Sequence, residues 1–148
     1  MTKWHMAVLA LAVGLTAVSV GGYAVAQADV IKERKEGFKG NKDAAAAIKK
    51  VVEAGGPAAD VVAPAQKIAD WATKIPAHFP KGSDTGDTKA KPDIWAKWDD
   101  FTKAANNNHE AALKLAAAGQ SGDMGAVKAA FGALGATCGA CHKQFKEE

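Results

Sequence analysis

The stretch AVKAAFGALGATCGACHKQF, residues 126–145, decides the fold predicted for this chain of 148 residues. Its apolar positions recur at alternating intervals of 4 and 3, the spacing of a helix that packs at a shallow angle against other helices. These seam positions are Val127, Phe131, Leu134, Cys138, Cys141 and Phe145. Asp123 precedes them and is a suitable N-cap. We therefore expect one amphipathic helix from residue 123 to the C-terminus.

Three earlier stretches show similar helical spacing: residues 30–54, 57–74 and 92–118. The sequence Gly55-Gly56-Pro57 ends the first stretch. Pro64 lies inside the second, where it predicts either a local distortion or a place in the first turns. The predicted seams are Ile31, Arg34, Phe38, Asn41, Ala45, Ile48 and Val52 in the first helix, Val61, Ala65, Ile68, Ala72 and Ile75 in the second, and Ile94, Trp98, Phe101, Ala105, Asn108, Ala112 and Leu115 in the third.

Residues 76–91 are rich in Pro and Gly and are expected to form a loop. No stretch shows the two-residue alternation of a strand. Short connections between the first and second and between the third and fourth helices favour antiparallel neighbours. The sequence therefore predicts an all-α fold, an antiparallel up-down-up-down four-helix bundle.

The five residues Cys138-Gly139-Ala140-Cys141-His142 form the C-x-x-C-H signature of covalent c-type haem attachment. On a helix both thiols and the imidazole share one face, so two thioethers and one axial iron bond can meet one porphyrin. Three other interpretations stay open: a disulfide, which would close a very short loop; a thioredoxin-like pair, which usually follows a strand; and a zinc site, which needs four ligands. The motif favours one covalent haem c inside the bundle.

The first 28 residues are typical of a secretory signal peptide, with Lys3, an apolar run over residues 7–20 and the cleavage site Ala26-Gln27-Ala28. A retained N-terminal anchor is the alternative. We expect cleavage after Ala28 and one haem-binding domain over residues 29–148. The expected location is the periplasm, since c-type haem is attached outside the bacterial cytoplasm. We expect no membrane contact after cleavage, because residues 29–148 show no second apolar run of about 20 residues.

The charges are scattered along the sequence. The formal net charge is +3, and the lysines are spread over helix faces rather than gathered in a block. A nucleic-acid-binding protein usually shows a basic patch or stripe. We therefore expect no nucleic-acid partner.

The side chain that binds or covers the iron on the side opposite His142 is expected to come from a residue earlier in the sequence. Met124 would lie roughly 27 Å away along the same helix, at ~1.5 Å rise per residue, and cannot reach the iron. His78 and His109 stay open as alternative sixth ligands. Phe38 is the stronger candidate, because a phenyl ring on the first seam can cover the iron face and leave it five-coordinate. Simple core packing of Phe38 is compatible with that role.

Two basic residues complete the predicted site. Arg34 is the only arginine in the sequence, and a buried guanidinium needs a partner. That partner is either a haem propionate, which a guanidinium can bind through two hydrogen bonds, or a Glu or Asp at the surface. Lys146 follows His142 by four residues and lies either beside the imidazole edge or in solvent at the helix end.

Together these residues resemble the cytochrome c′ family, the class II c-type cytochromes. The matching stretches are residues 30–38, 92–95, 122–123 and 129–146. The resemblance implies that Cys138 and Cys141 hold the haem and that His142 is the proximal ligand. It also gives Arg34 a propionate partner, Phe38 the distal blocking position, and Lys146 a basic position beside the proximal histidine. The first helix has no methionine, so the chain resembles the high-spin, five-coordinate members.

The resemblance implies a protein that binds NO and CO, with NO sequestration or buffering as its expected function. The alternative is an electron-transfer cytochrome with a periplasmic redox partner. An enzyme is the least favoured reading, since no acid–base group is visible on the distal side, and we predict no catalytic residue. Members of the family commonly form antiparallel dimers through the first two helices, and the sequence leaves monomer and homodimer open.

Overall fold

A computed structural model describes residues 20–148, with side-chain surroundings from residue 27 onward. The helices in chain order are α1 (Val20–Ala54), α2 (Val62–Lys74), α3 (Asp93–Ala96), α4 (Trp98–Ser121) and α5 (Met124–Phe145), and two 3₁₀ turns, Ala58–Val61 and Ile75–His78, flank α2. The only β pairing in this described range is an isolated bridge between Ala90 and Lys146. The predicted all-α bundle of four long helices is confirmed.

The predicted end of the first helix at Ala54 and the predicted N-cap of the last helix at Asp123 are confirmed, whereas α2 begins at Val62 rather than near Pro57 and α4 continues to Ser121 rather than ending at Ala118. Gly55 adopts a left-handed φ of 63°, and the Gly56 N–H donates to the Val51 carbonyl at 3.0 Å, which closes a Schellman motif after α1. At the start of α5 the Asp123 carboxylate accepts hydrogen bonds from the N–H groups of Gly125 and Ala126. These caps satisfy backbone groups that each helix end would otherwise leave unpaired.

Pro64 lies in the first turn of α2, where its missing N–H removes no helical hydrogen bond. The expected distortion takes the form of the 3₁₀ turn over residues 58–61, directly before α2. All five predicted seam residues of this segment are buried: Val61, Ala65, Ile68, Ala72 and Ile75.

The third predicted helix is broken into α3 and α4, which corrects the prediction of one continuous helix. Lys97, with φ −124° and ψ 50°, is not helical and separates the two. The Trp95 indole N–H donates to the carbonyl oxygens of Phe79 and Pro80 at 3.0 and 3.1 Å, so α3 is tied to the preceding loop. The break changes the register, and Trp98 is 37% exposed rather than on the seam.

The last helix ends at Phe145 instead of continuing to the C-terminus. Lys146 is extended, with φ −123° and ψ 135°. The Phe145 carbonyl accepts a hydrogen bond from the N–H of Lys91, and the Glu147 N–H donates to the carbonyl of Lys89. The loop before α3 thus supplies backbone partners to residues at and after the end of α5.

The core consists of two clusters. α4 packs along both α2 and α5, whereas α1 packs mainly on α2 and only sparsely on α5. One cluster is aliphatic and includes Ile48, Val61, Leu115, Val127 and Leu134. The other is largely aromatic and consists of Ala72, Ile75, Phe79, Ile94, Phe101, Ala105 and Phe145, with Phe38, Trp71, Trp95 and Cys141 packed against it. The haem motif therefore lies at the aromatic end.

Within residues 20–148, α5 is long and apolar enough to span a membrane by length and composition alone, with a mean hydropathy of 1.2. This finding corrects the expectation that residues 29–148 contain no second apolar stretch long enough to span a membrane. Small residues make up most of the helix, and Val127, Leu134 and Phe145 on it are buried in the bundle.

Most of the predicted signal peptide, residues 1–19, lies outside the described residues. Residues 20–28 are helical and continuous with α1. The predicted cleavage point after Ala28 thus lies within α1 of the uncut chain.

Candidate functional site

The two cysteines and the histidine of the motif lie on α5 at positions i, i+3 and i+4, which share one helix face. Both thiols are free and half buried, and His142 as a whole residue is exposed although part of its imidazole is covered. Burial, with a smaller contribution from Cys138, raises the pKa of the Cys141 thiol to about 11. The Cys141 thiol is therefore protonated at neutral pH.

Asn108 on α4 contacts the motif directly. Its side chain is 7% exposed, and its Nδ2 donates to the Thr137 hydroxyl at 2.9 Å and to the Cys138 sulfur at 3.4 Å. The Thr137 hydroxyl in turn donates to the Leu134 carbonyl at 2.7 Å. This chain of hydrogen bonds fixes the direction of Cys138. Asn108 lies on the predicted seam of the third helix, where an amide on an otherwise apolar stripe was the available signal of this contact.

Phe38 on α1 faces His142 on α5, at the place where these two helices have few direct contacts. The ring centroids are 6.5 Å apart, and the ring planes are inclined by 68°. Phe38 also contacts Trp71 and Phe79 edge-on, at centroid distances of 5.7 and 6.3 Å. The group that the fold presents to the imidazole is therefore a hydrocarbon ring without a lone pair.

The other side chains considered as iron ligands are engaged elsewhere. Met124 packs against the aliphatic cluster. The His109 Nδ1 lies 3.0 Å from the Ala69 carbonyl, and the His78 Nδ1 lies 2.9 Å from the Lys74 carbonyl. The ring contact recorded for His142 among the described residues is with Phe38 and not with either of these two histidines.

Arg34 is 3% exposed, and its hydrogen-bond partners are neutral. The guanidinium donates to the hydroxyl and carbonyl oxygens of Ser83 at 3.0 and 2.7 Å and to the Thr88 hydroxyl, and it lies 4.6 Å from the Phe79 ring centroid. Burial lowers its pKa, and the nearby charge of Asp84 opposes this shift. No carboxylate of the described residues forms an ion pair with it. A guanidinium carries five N–H donors, so donors are left for an added anion.

Lys146 lies beside the motif although it is not part of α5. Its N–H donates to the His142 carbonyl at 3.0 Å. Burial lowers the pKa of the His142 imidazole, and the charge of Lys146 lowers it further. The imidazole is therefore neutral at neutral pH, and a ring nitrogen keeps its lone pair for a metal.

The side chains around the motif suit a haem better than they suit a zinc site or a thioredoxin-like pair. Residues 27–148 contain no group of three or more His, Cys, Asp or Glu side chains that could hold a bare metal ion, and no strand precedes the cysteines from residue 20 onward. Two thiols suit thioether bonds and a neutral imidazole suits an axial iron bond. A buried cation with donors to spare suits a propionate.

Comparisons with known sequences agree with this site. A family model described as Cytochrome C' matches residues 29–146. The cytochrome c' of Rhodospirillum rubrum is 42% identical over 85 residues, which cover 57% of this chain and only 58% of that protein. The cytochrome c' of Pararhodospirillum photometricum is 34% identical over 119 residues, covering 79% of this chain and 95% of that protein.

Solved structures show the same fold. Cytochrome c' from Thermochromatium tepidum has a TM-score of 0.77 at 31% identity, covering 82% of this chain and 97% of that one. A second cytochrome c', described as having an unusual ligand-controlled dimer dissociation, has the same TM-score at 32% identity and the same coverage. A nitric oxide complex of a cytochrome c prime mutant from Alcaligenes xylosoxidans has a TM-score of 0.74 at 27% identity, with 82% and 97% covered.

The family model spans most of the chain, and the four-helix fold agrees with that of the solved relatives. The chain therefore belongs to the cytochrome c′ family, whose members bind one covalently attached haem c.

Proposed function

We propose that this protein is a five-coordinate haem protein that binds small neutral gases and serves to sequester or buffer NO. The observation that supports this most directly is the Phe38 ring facing the His142 imidazole. Cys138 and Cys141 hold the haem through thioethers, and His142 is the proximal ligand. Arg34 binds a propionate through the donors that Ser83 and Thr88 leave free.

The side chains of this chain prepare the site for a neutral ligand. When bound, the haem supplies an iron with one open coordination position. The lowered pKa of His142 keeps its imidazole neutral and able to coordinate. The Phe38 ring offers neither a lone pair to the iron nor a hydrogen bond to a ligand, and the rings of Trp71 and Phe79 extend this apolar surface. Anions and water lose their solvation at such a surface, whereas NO and CO lose little.

No catalytic activity belongs to this proposal. General acid–base catalysis needs a titratable side chain within hydrogen-bond reach of the reacting atoms. The residue that faces His142 in this structure is Phe38, which does not titrate.

The absorption spectrum of the ferrous protein tests the proposal. We expect a high-spin spectrum that shifts on addition of CO and on addition of NO. A low-spin spectrum that CO does not change would mean that a protein side chain occupies the sixth position, and gas binding would be rejected.

Electron transfer to a periplasmic redox partner is the second candidate, and the exposure of His142 favours it. An exposed proximal ligand brings the metal centre close to the surface, where a redox partner can dock. The same spectrum separates the two functions, because a six-coordinate, CO-insensitive iron suits electron transfer rather than gas binding.

We also propose export to the periplasm with cleavage after Ala28. The match to the family model begins at residue 29, directly after the predicted cleavage site, and this supports the boundary. Mass spectrometry of the protein from a periplasmic fraction tests it. We expect a coloured chain that starts at Asp29 and carries one haem; a chain that retains residues 1–28 would contradict the proposal.

A homodimer that forms through α1 and α2 is a further part of the proposal. A groove between these helices is lined by Gly37, Gly40 and Lys67, among other residues, and a solved relative is described as a dimer that dissociates under ligand control. Sedimentation velocity with and without CO tests it. A single monomeric species at all concentrations would reject the dimer without affecting the gas-binding proposal.

A further inference from the structure

The indole of Trp71 on α2 lies directly against the backbone of Gly37 on α1. A methyl group built at Gly37 would lie 2.1 to 2.4 Å from three carbon atoms of the indole. Those distances are too short for any side chain, so Trp71 occupies the place of a side chain at residue 37. Glycine is unfavourable in a helix interior, and this contact gives a physical reason for its presence in the middle of α1.

Packing alone holds the indole. Its N–H is buried and has no hydrogen-bond partner among the described residues. The His78 imidazole packs on it at a centroid distance of 4.8 Å, and the His78 Nδ1 is anchored 2.9 Å from the Lys74 carbonyl. Gly37 and His78 thus fix the position of a large rigid side chain that forms no polar bond.

The indole contacts Phe38, the residue next to Gly37 in the chain. The Phe38 and Trp71 rings meet edge-on at 5.7 Å and 81°. Phe79 contacts Phe38 at 6.3 Å, and the Phe79 carbonyl is held by the indole N–H of Trp95. Phe38 therefore has two aromatic neighbours besides His142, and the neighbour from α2 depends on the absence of a side chain at Gly37.

We propose that Trp71 is a positioning residue that holds the Phe38 ring opposite His142, where it covers the open side of the iron and thereby limits how fast a neutral ligand reaches it. The inference rests on the proposed gas-binding function. Trp71 acts through Phe38 and does not itself contact the ligand. Gly37 is needed for this positioning, since only glycine leaves room for the indole.

A double-mutant cycle on the ferrous holoprotein tests this coupling. The CO association rate is measured by stopped flow for the unaltered protein, Trp71→Ala, Phe38→Ala and the double variant. We expect Trp71→Ala to raise the rate by about 2- to 10-fold, the range set by the strength of one edge-to-face aromatic pair. In the Phe38→Ala background we expect the same substitution to change the rate little. An equal increase in both backgrounds, or no increase in either, overturns the proposal.

Two further variants separate positioning from general damage to the fold. Trp71→Phe keeps an aromatic ring on Gly37 and should restore a rate near that of the unaltered protein. Gly37→Ala displaces the indole and should raise the rate as Trp71→Ala does. The proposal is overturned if Trp71→Phe associates with CO as fast as Trp71→Ala does. It is also overturned if Gly37→Ala leaves the CO association rate unchanged, because Trp71 would then not be positioning Phe38.

A crystal structure of holo Trp71→Ala gives a readout that does not depend on gas binding. We expect the Phe38 side chain to occupy a second rotamer or to turn away from His142. A single, unmoved Phe38 would overturn the inference. If no variant binds CO, the gas-binding function fails, and the Phe38 rotamer still decides whether Trp71 positions that ring.

Discussion

The rings of Phe38 and His142 meet edge-on, with centroids 6.5 Å apart and planes inclined by 68°, and this contact joins the first helix of the bundle to the last. α1 and α5 otherwise have few contacts. The aliphatic cluster fills the opposite end of the bundle. Aliphatic side chains thus form the core at one end of the bundle, and aromatic rings surround the C-x-x-C-H motif at the other.

Phe38→Ala should raise the rate of CO association with the ferrous protein by about tenfold or more, equivalent to at least ~1.4 kcal/mol from the barrier. The physical reason is that a methyl group replaces the ring that lies opposite His142 and covers the open side of the iron. Stopped-flow mixing measures the rate. Phe131→Ala removes a half-buried ring from α5 in the other cluster and should leave the rate unchanged. Equal rates for Phe38→Ala and the unaltered protein would remove Phe38 from the distal position.

Arg34→Ala should destabilise the protein by about 2–4 kcal/mol, because it leaves the buried Ser83 oxygens without their donor and removes one of the two donors to the half-buried Thr88 hydroxyl. Urea unfolding of the holoprotein measures the loss. Lys35→Ala is the matched control on the next residue. The Lys35 ion pair with Asp87 is exposed, and such pairs contribute about 0–1 kcal/mol. If the two variants lose equal free energy of unfolding, the buried hydrogen bonds of Arg34 contribute no more to stability than an exposed ion pair.

The alternating 3 and 4 spacing predicts most of the fold because the same contacts that create the seam also bury it. Ile48, Ile68, Leu115 and Leu134 are all core residues that the spacing identified. The C-x-x-C-H motif identified the cofactor because its chemistry is local, since three side chains on one helical turn suffice. Arg34 was recognisable from its charge on an apolar stripe, although its Ser83 partner was not.

The features that the sequence did not reveal depend on distant parts of the chain. The break at Lys97 accompanies hydrogen bonds from Trp95 to carbonyl groups of the preceding loop, which no local pattern records. The contact between Gly37 and Trp71 joins two helices. Its only trace in the sequence is a glycine at an unfavourable position inside a helix. The hydrogen bond from Asn108 to Cys138 likewise requires the packing of α4 on α5.

Asn108→Leu should change the free energy of unfolding by less than about 1 kcal/mol, because an apolar side chain of similar size replaces the amide on a buried seam. The Thr137 hydroxyl keeps its bond to the Leu134 carbonyl in this variant. Asn108→Asp should cost more than ~2 kcal/mol, since it buries a carboxylate beside the Cys138 sulfur. Urea unfolding compares the two. A loss above 2 kcal/mol for the leucine variant would show that the amide contributes to folding beyond its contacts with Thr137 and Cys138.

The Cys141 thiol of the haem-free chain should react slowly with iodoacetamide. The thiolate is the reacting form, and a pKa of about 11 in place of 9.0 reduces the thiolate fraction at pH 8 by roughly 100-fold, since each pKa unit is a factor of ten. In Cys138→Ser, Cys141 is the only thiol, and mass spectrometry follows its modification while circular dichroism confirms helicity.

The same protein in urea is the reference for the unperturbed thiol. Because the folded pKa lies above the unfolded one, the unfolded chain releases its proton first, so the stability of the haem-free fold should fall as the pH rises from about 9 to about 11. Equal reaction rates with and without urea at pH 8 would contradict the buried position of Cys141. They would also remove the reason to expect a loss of stability at high pH, since both effects follow from the same desolvation of the thiolate.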